Sequence, residues 1–206
     1  MKIQRGYKIL CGLGQLCTLL FLLNFIPSCI LPEKFEAKIN INKNGTFSFV
    51  YDGILTFVLA RAAEVQQGKL SAKEEREIKQ LEQDFLKDQN FKKVNYIGRG
   101  QFKVLYKREG TIESPVHFLN SETKIVSITK AQRQIEIKGM RLNKEAIEQL
   151  RALNMKVDGR LEVTTNAKVI KHNASSVPHF FGLLGSYTWQ IKSVTDPAPY
   201  MSLQME

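Results

Sequence analysis

Cysteine is missing from everything beyond residue 29. The three that occur, Cys11, Cys17 and Cys29, all sit at the start of the chain. That excludes a disulfide-built fold, a thiolate nucleophile and a Cys-ligated metal downstream, so the remainder must be held by its apolar core. Histidine is nearly as scarce, with only His117, His172 and His179. None has the tight paired spacing of a zinc site, so no metal and no cofactor is expected. Glycine (13) and proline (6) are too few for collagen-like or proline-rich architecture. A single long apolar run excludes a bundle of transmembrane helices. With 24% charged and 43% hydrophobic residues, the chain is not a disordered polymer either. Its 206 residues fit one domain plus a targeting segment.

The targeting segment is what is present at the start. Met1 to Ser28 hold no acidic residue, and Lys2, Arg5 and Lys8 precede a run from Ile9 to Ile26 that is almost wholly apolar. A basic start followed by such a run reads as an export signal, with the positive flank left in the cytoplasm. The run ends in Ile26-Pro27-Ser28-Cys29, which resembles the bacterial lipobox. That resemblance implies a diacylglyceryl group on the Cys29 sulfur and cleavage before it. An ordinary signal-peptidase site and an uncleaved anchor remain as alternatives. Residues 1–28 are thus read as the signal, 29–33 as a short tether and 34–206 as one extracytoplasmic domain. Ile30 is not the aspartate that retains lipoproteins in some inner membranes, which points to an outer membrane where one exists.

Alternation organises the body. Phe35, Ala37, Ile39 and Ile41 predict a first strand, and Asn44-Gly45 predicts a type I′ hairpin turn into a second with Phe47, Phe49 and Tyr51 on one face. Ala60 to Gln67 reads as a short helix stopped by Gly68. Ser71 and Glu74 then form a capping box for a helix with Ile78, Leu81 and Phe85 on one stripe. Phe91 to Lys107 reads as one long strand, bent or bulged at Gly98-Arg99-Gly100. A second unit follows: strands at 123–129 and 132–138, a helix capped by Asn143, and a strand through Leu161 and Val163. Tyr187 to Ile191 gives a late strand, and Tyr200 to Met205 an edge strand. The fold class is α+β: a mainly antiparallel curved sheet with two or three helices packed on one side.

No catalytic residue is assigned. Neither a G-x-S-x-G elbow nor an H-E-x-x-H motif occurs, and the carboxylates are dispersed among Lys and Arg. The weak hydrolase candidate is His172 with Ser175 or Ser176. Removing Lys2, Arg5 and Lys8 with the leader leaves 27 basic residues against 20 acidic, formally +7. A basic surface suits an anionic lipid or an envelope polymer. The strand face carrying Lys93, Arg99, Lys103 and Lys107 is the candidate contact, with a solvated face as its alternative. Expected partners are the membrane, through a lipid or anchor, and an envelope protein. Nucleic acid is not expected, because export removes access to it.

The segment Val169-Ile170-Lys171-His172-Asn173-Ala174, then Pro178, then Tyr187-Thr188-Trp189-Gln190-Ile191, is the most distinctive part. It resembles uncharacterised bacterial envelope lipoproteins and is weakly similar to the LppM-like extracytoplasmic domain family. The resemblance implies a lipoprotein and brings no catalytic residues. On physical grounds Asn173 suits a turn, His172 a local hydrogen bond, and Trp189 the core. Two functions follow: a non-catalytic lipoprotein that binds or scaffolds an envelope component, or a carrier of a lipid or amphiphile. The carrier's apolar groove would lie between the sheet and the long helix, lined by Val94 to Tyr106. A clickable fatty acid fed to cells should label the wild-type chain and not Cys29→Ala; equal labelling of both would remove the lipoprotein assignment.

Overall fold

The computed structural model describes residues 30–119, 124–179 and 185–206. Cys29 and the export segment lie outside the described residues. Strand β1 (Ile30–Ile41) runs antiparallel to β2 (Thr46–Phe57), with Ile41 opposite Phe47 and Ile30 opposite Phe57. Two helices follow, α1 (Val58–Gln67) and α2 (Ala72–Leu86), then β3 (Phe91–Gly98), β4 (Gln101–Thr111), β5 (Val116–Leu119), β6 (Lys124–Ala131) and β7 (Gln134–Gly139). Helix α3 (Lys144–Ala152) leads to β8 (Asp158–Thr165), β9 (Lys168–His172), β10 (Tyr187–Ile191) and β11 (Tyr200–Gln204). The fold is α+β and mainly antiparallel, as the alternation predicts.

The strands divide between two sheets. One has six strands in the order β10-β8-β1-β2-β4-β3, and the other has five in the order β5-β6-β7-β11-β9. β1 and β8 form the parallel pair. One apolar cluster joins the inner faces, drawing Phe49, Tyr51 and Tyr106 from the first sheet and Phe118, Ile137 and Leu203 from the second. Helix α2 covers the β3–β4 end of the first sheet's inner face, where Phe85 meets Phe91 at 5.2 Å and Phe102 edge-on at 5.4 Å. Its expected cap is present: Glu74 N donates to Ser71 Oγ, and Ser71 N donates to Glu74 Oε2. Hydrogen bonding from the Ser71 side chain, and then from its backbone N–H, holds the Glu74 carboxyl below its ordinary pKa.

Four sequence expectations need correction. Residues 30–33 are not a tether but the start of β1, and Leu31 is only 3% exposed. The long strand at 91–107 is a hairpin: Gly98 pairs with Gln101, and Arg99 (φ 57°) and Gly100 (φ 72°) make the two-residue turn. Two successive positive φ values define type I′. A bent strand and this hairpin keep the same alternation, so Val94, Tyr96, Phe102, Val104 and Tyr106 do share a face, as expected. At residues 42–46 the turn is not type I′. Gly45 N donates to Asn42 O, and Gly45 takes positive φ whereas Asn44 does not, the arrangement of a type I turn closed by a glycine bulge. Finally, β11 is not an edge strand, because it lies between β7 and β9.

A bulge between Pro32 and Phe35 turns β1 so that Phe35 falls against two glycines. A Cβ at Gly53 would lie 2.5 Å from Phe35 Cβ, and one at Gly159 would lie 2.1 Å from its ring. The ring stacks on Tyr51 at 5.5 Å and 19°. Gly159→Ala should therefore destabilise the domain by about 2–3 kcal/mol through overpacking. Denaturant melts should show Phe35→Ala recovering part of that loss in the double variant; fully additive losses would mean the ring is not what the new methyl strikes.

Candidate functional site

The inner faces do not pack shut everywhere. Where Ala37 of β1 and Gly139 of β7 supply little side chain, a groove of about 520 Å³ remains between the sheets. That lies within the ~300–1,000 Å³ range of small-molecule sites. Phe35, Tyr51, Leu161 and Ile191 line it from the first sheet, and Ile125 and Val126 from the second. Leu31, Val157 and Ile147 extend the apolar wall toward α3. Tyr51 is fully buried, which pushes its hydroxyl pKa well up, with Asp52 adding to the effect. Its Oη donates to the Ile54 carbonyl at 3.3 Å, so the ring presents only its apolar body to the groove.

Residues 192–199 close one side. Asp196 Oδ2 accepts from the backbone N–H groups of Lys192 (2.7 Å) and Ser193 (3.0 Å), folding that loop on itself. The loop reaches the second sheet through Gly139 N, which donates to Pro199 O at 2.8 Å. Gly139 is required there, since a Cβ would lie 2.6 Å from the Pro199 ring. Asn173 ties three elements at once. Its Oδ1 accepts from Trp189 Nε1 (2.7 Å) and Tyr200 N (2.8 Å), and its Nδ2 donates to Ala198 O (2.9 Å). Because Trp189 belongs to the first sheet and Tyr200 to the second, this side chain bridges the sheets beside the groove.

At the mouth the lining becomes exposed and polar, with Arg141 on one side and Lys171 on the other. Neither forms an ion pair among the described residues. His172 follows Lys171 in the lining, its ring edge-on to Tyr187 at 4.9 Å. Its Nδ1 accepts from Ala174 N at 3.1 Å, the local bond expected for a turn residue. Ser175 Oγ accepts from Gln190 N at 3.2 Å. Ser127 and Lys130 have the Ser-x-x-Lys spacing, which on a helix would bring hydroxyl and amine together. On β6 they are directed to opposite faces, and Ser127 Oγ donates to the Lys138 carbonyl at 3.4 Å.

The groove is not where the sequence places it. Val94, Phe102, Val104 and Tyr106 are packed into the core under α2, with no groove among them. Nor do the four predicted surface cations form one set. Lys93, Lys103 and Lys107 share the outer face of the first sheet, but Glu36, Asp52, Glu109 and Glu162 share it too. Lys103 pairs with Asp52 at 2.6 Å. Arg99 sits in the β3–β4 turn and reaches Glu64 of α1 at 2.5 Å. Burial alone would raise the Glu64 pKa, but hydrogen bonds from Arg99 and Arg61 outweigh it and lower the value. His117 lies on β5, where burial lowers its pKa, assisted by Lys124 and Arg108. Among the described residues no group of three or more His, Cys, Asp or Glu is placed to hold a metal, and no helix is long and apolar enough to cross a membrane.

In sequence, no known family and no characterised protein matches the chain. In structure it is weakly similar to the folded domain of LppM from Mycobacterium tuberculosis, solved by NMR. The match covers 86% of this chain and 91% of that one, with 11% identity and a TM-score of 0.41. The weak similarity to the LppM-like domain read from the sequence thus has a weak structural counterpart.

Asn173→Ala should leave the Trp189 indole N–H, on a side chain only 3% exposed, without an acceptor. The expected loss is about 2–3 kcal/mol, as for a buried donor stripped of its partner. Chemical denaturation followed by the single Trp measures it, and a change within error would show the bridge to be dispensable.

Proposed function

We propose that the protein is a membrane-anchored lipoprotein of a bacterial envelope whose domain carries an amphiphile, an acyl chain with an anionic headgroup, in the groove between its sheets. The observation supporting this is the groove itself: a space of about 520 Å³ with largely apolar walls, whose lining includes Arg141 and Lys171 with no ion pair among the described residues. The anchoring part rests on the lipobox-like end at Cys29 and assigns no reaction to the domain. Of the two functions expected from the sequence, the groove supports the carrier.

The magnitudes are adequate. Each methylene moved from water into the groove contributes about 0.8 kcal/mol, so a dozen give roughly 10 kcal/mol in gross terms. Association and ordering of a flexible chain cost several kcal/mol of that. A net of about 5–6 kcal/mol corresponds to a Kd of roughly 0.1 mM. A cation near an anionic headgroup adds about 1 kcal/mol. The chain therefore supplies the affinity and the mouth supplies the preference for headgroup.

Native mass spectrometry of the full chain should show a co-purified amphiphile, and a fluorescent polyene fatty acid should compete with it. Met140 lines the groove and is half-buried, with its amide held by the Ile125 carbonyl at 2.9 Å. Met140→Trp should fill the groove and weaken the fatty acid at least about tenfold while the melting temperature holds. Arg141→Ala with Lys171→Ala should weaken an anionic amphiphile and spare a neutral one. Undiminished binding in the Trp variant would place any bound amphiphile elsewhere.

A further inference from the structure

The groove has charged neighbours. Ser193, Val194 and Val157 line both the groove and an adjoining hollow that holds Arg151, Lys156 and Lys192. Lys156 and Asp158 in turn line a third hollow with Lys34, Arg61 and Arg99. Arg61 and Arg99 share Glu64 and can be set aside. Lys34, Arg151, Lys156 and Lys192 form no ion pair among the described residues, and neither do Arg141 and Lys171 at the groove mouth. Three carboxylates share these linings: Asp158, which forms no ion pair among the described residues, and two that are engaged. Glu33 accepts from Gln101 Nε2, and Asp196 accepts from the backbone of its own loop. The first sheet's outer face, by contrast, alternates cations with carboxylates.

These cations surround the place where the chain enters the domain. Leu31 and Pro32 line the groove, while Glu33 and Lys34 line the third hollow. Strand β1 begins at Ile30, directly after Cys29. An extended chain advances at most ~3.6 Å per residue, so a lipid on Cys29 holds Pro32 within roughly 11 Å of the bilayer surface. That is at most about one and a half Debye lengths at physiological salt, close enough for surface charge to be felt.

We propose that this end of the domain seats on an anionic bilayer through Lys34, Arg141, Arg151, Lys156, Lys171 and Lys192. Seated so, the groove rim meets the leaflet, and the amphiphile passes between bilayer and groove without crossing water. The inference rests on the anchoring part of the proposed function and adds to it an orientation and a source for the ligand. It also moves the anionic contact from the outer sheet face to the groove end.

The native lysines report the orientation. The full chain, placed on phosphatidylcholine vesicles containing phosphatidylglycerol, is treated with a membrane-impermeant acetylating reagent and its lysines are quantified by mass spectrometry. Lys34, Lys156, Lys171 and Lys192 should react several-fold more slowly than in neutral detergent, with Lys93 and Lys107 unchanged. Vesicles lacking phosphatidylglycerol, or high salt, should reduce the protection. Uniform reactivity, or protection of Lys93 and Lys107 instead, overturns the seating. Protein that fails to float with the vesicles overturns the anchoring beneath it. Native mass spectrometry of the same sample reads the groove separately: amphiphile retained without lysine protection leaves the carrier reading standing and removes only the orientation.

Discussion

Without a disulfide in the described domain, the two sheets are held by aromatic packing centred on Phe118. That ring comes from β5 of the second sheet and enters among four rings of the first. Its centroid lies 4.5 Å from Tyr51, 4.9 Å from Tyr106, 5.4 Å from Phe49 and 6.3 Å from Phe91. Tilted and edge-on pairs of this kind are worth about 0.5–1.5 kcal/mol each beyond the area they bury. Tyr51 then stacks on Phe35, whose ring lies against Gly159. A continuous path of rings thus runs from the centre of the core to the wall of the groove. The groove is where this packing stops, because Ala37 and Gly139 follow with no side chain large enough to continue it.

A hydrophobic contact between sheets is tolerant of small rotations, whereas a hydrogen bond is not. Asn173 supplies the directional element. With its oxygen shared between Trp189 of one sheet and the backbone of Tyr200 in the other, it fixes the separation of the sheets at one side of the groove. The loop from Lys192 to Pro199 is held between that point and Gly139, so the groove wall follows from a few polar contacts rather than from bulk packing.

What could be read from the sequence was local. Strand alternation, the Ser71–Glu74 cap and the Asn143 cap depend on neighbours a few residues away, and each is found where its pattern places it. The local hydrogen bond of His172 was legible for the same reason, and Trp189 is in the core as expected, but Asn173, read as a turn residue, instead bonds across 16 to 27 residues to Trp189, Ala198 and Tyr200. The division into two sheets was not, because β1 pairs with β8 across more than a hundred intervening residues. The β3–β4 hairpin was missed because arginine is an unfavourable residue at positive φ, at about 1–2 kcal/mol. Partners distant in sequence hold it: Glu75 takes the Arg99 amide at 3.4 Å and Glu64 the guanidinium at 2.5 Å. The groove lay beyond reach for a similar reason, since its lining comes from both sheets, α3 and the loop after β10, with no spacing in the chain to mark it.

The place of β11 in the second sheet bears on how the protein reaches its folded state. β7 and β9 do not pair with each other in that sheet; each pairs with β11, which follows both along the chain. While a chain emerges in order, the β5–β6–β7 meander and β9 both wait with an open backbone edge. Open edges invite pairing with other chains. Pairings this distant along the chain also form slowly. Completion of the sheet, and with it the docking of Tyr200 on Asn173, therefore waits for β11. Until residues 200–204 have joined, the two parts of the second sheet share no backbone pairing, and the groove between the sheets has only one finished wall.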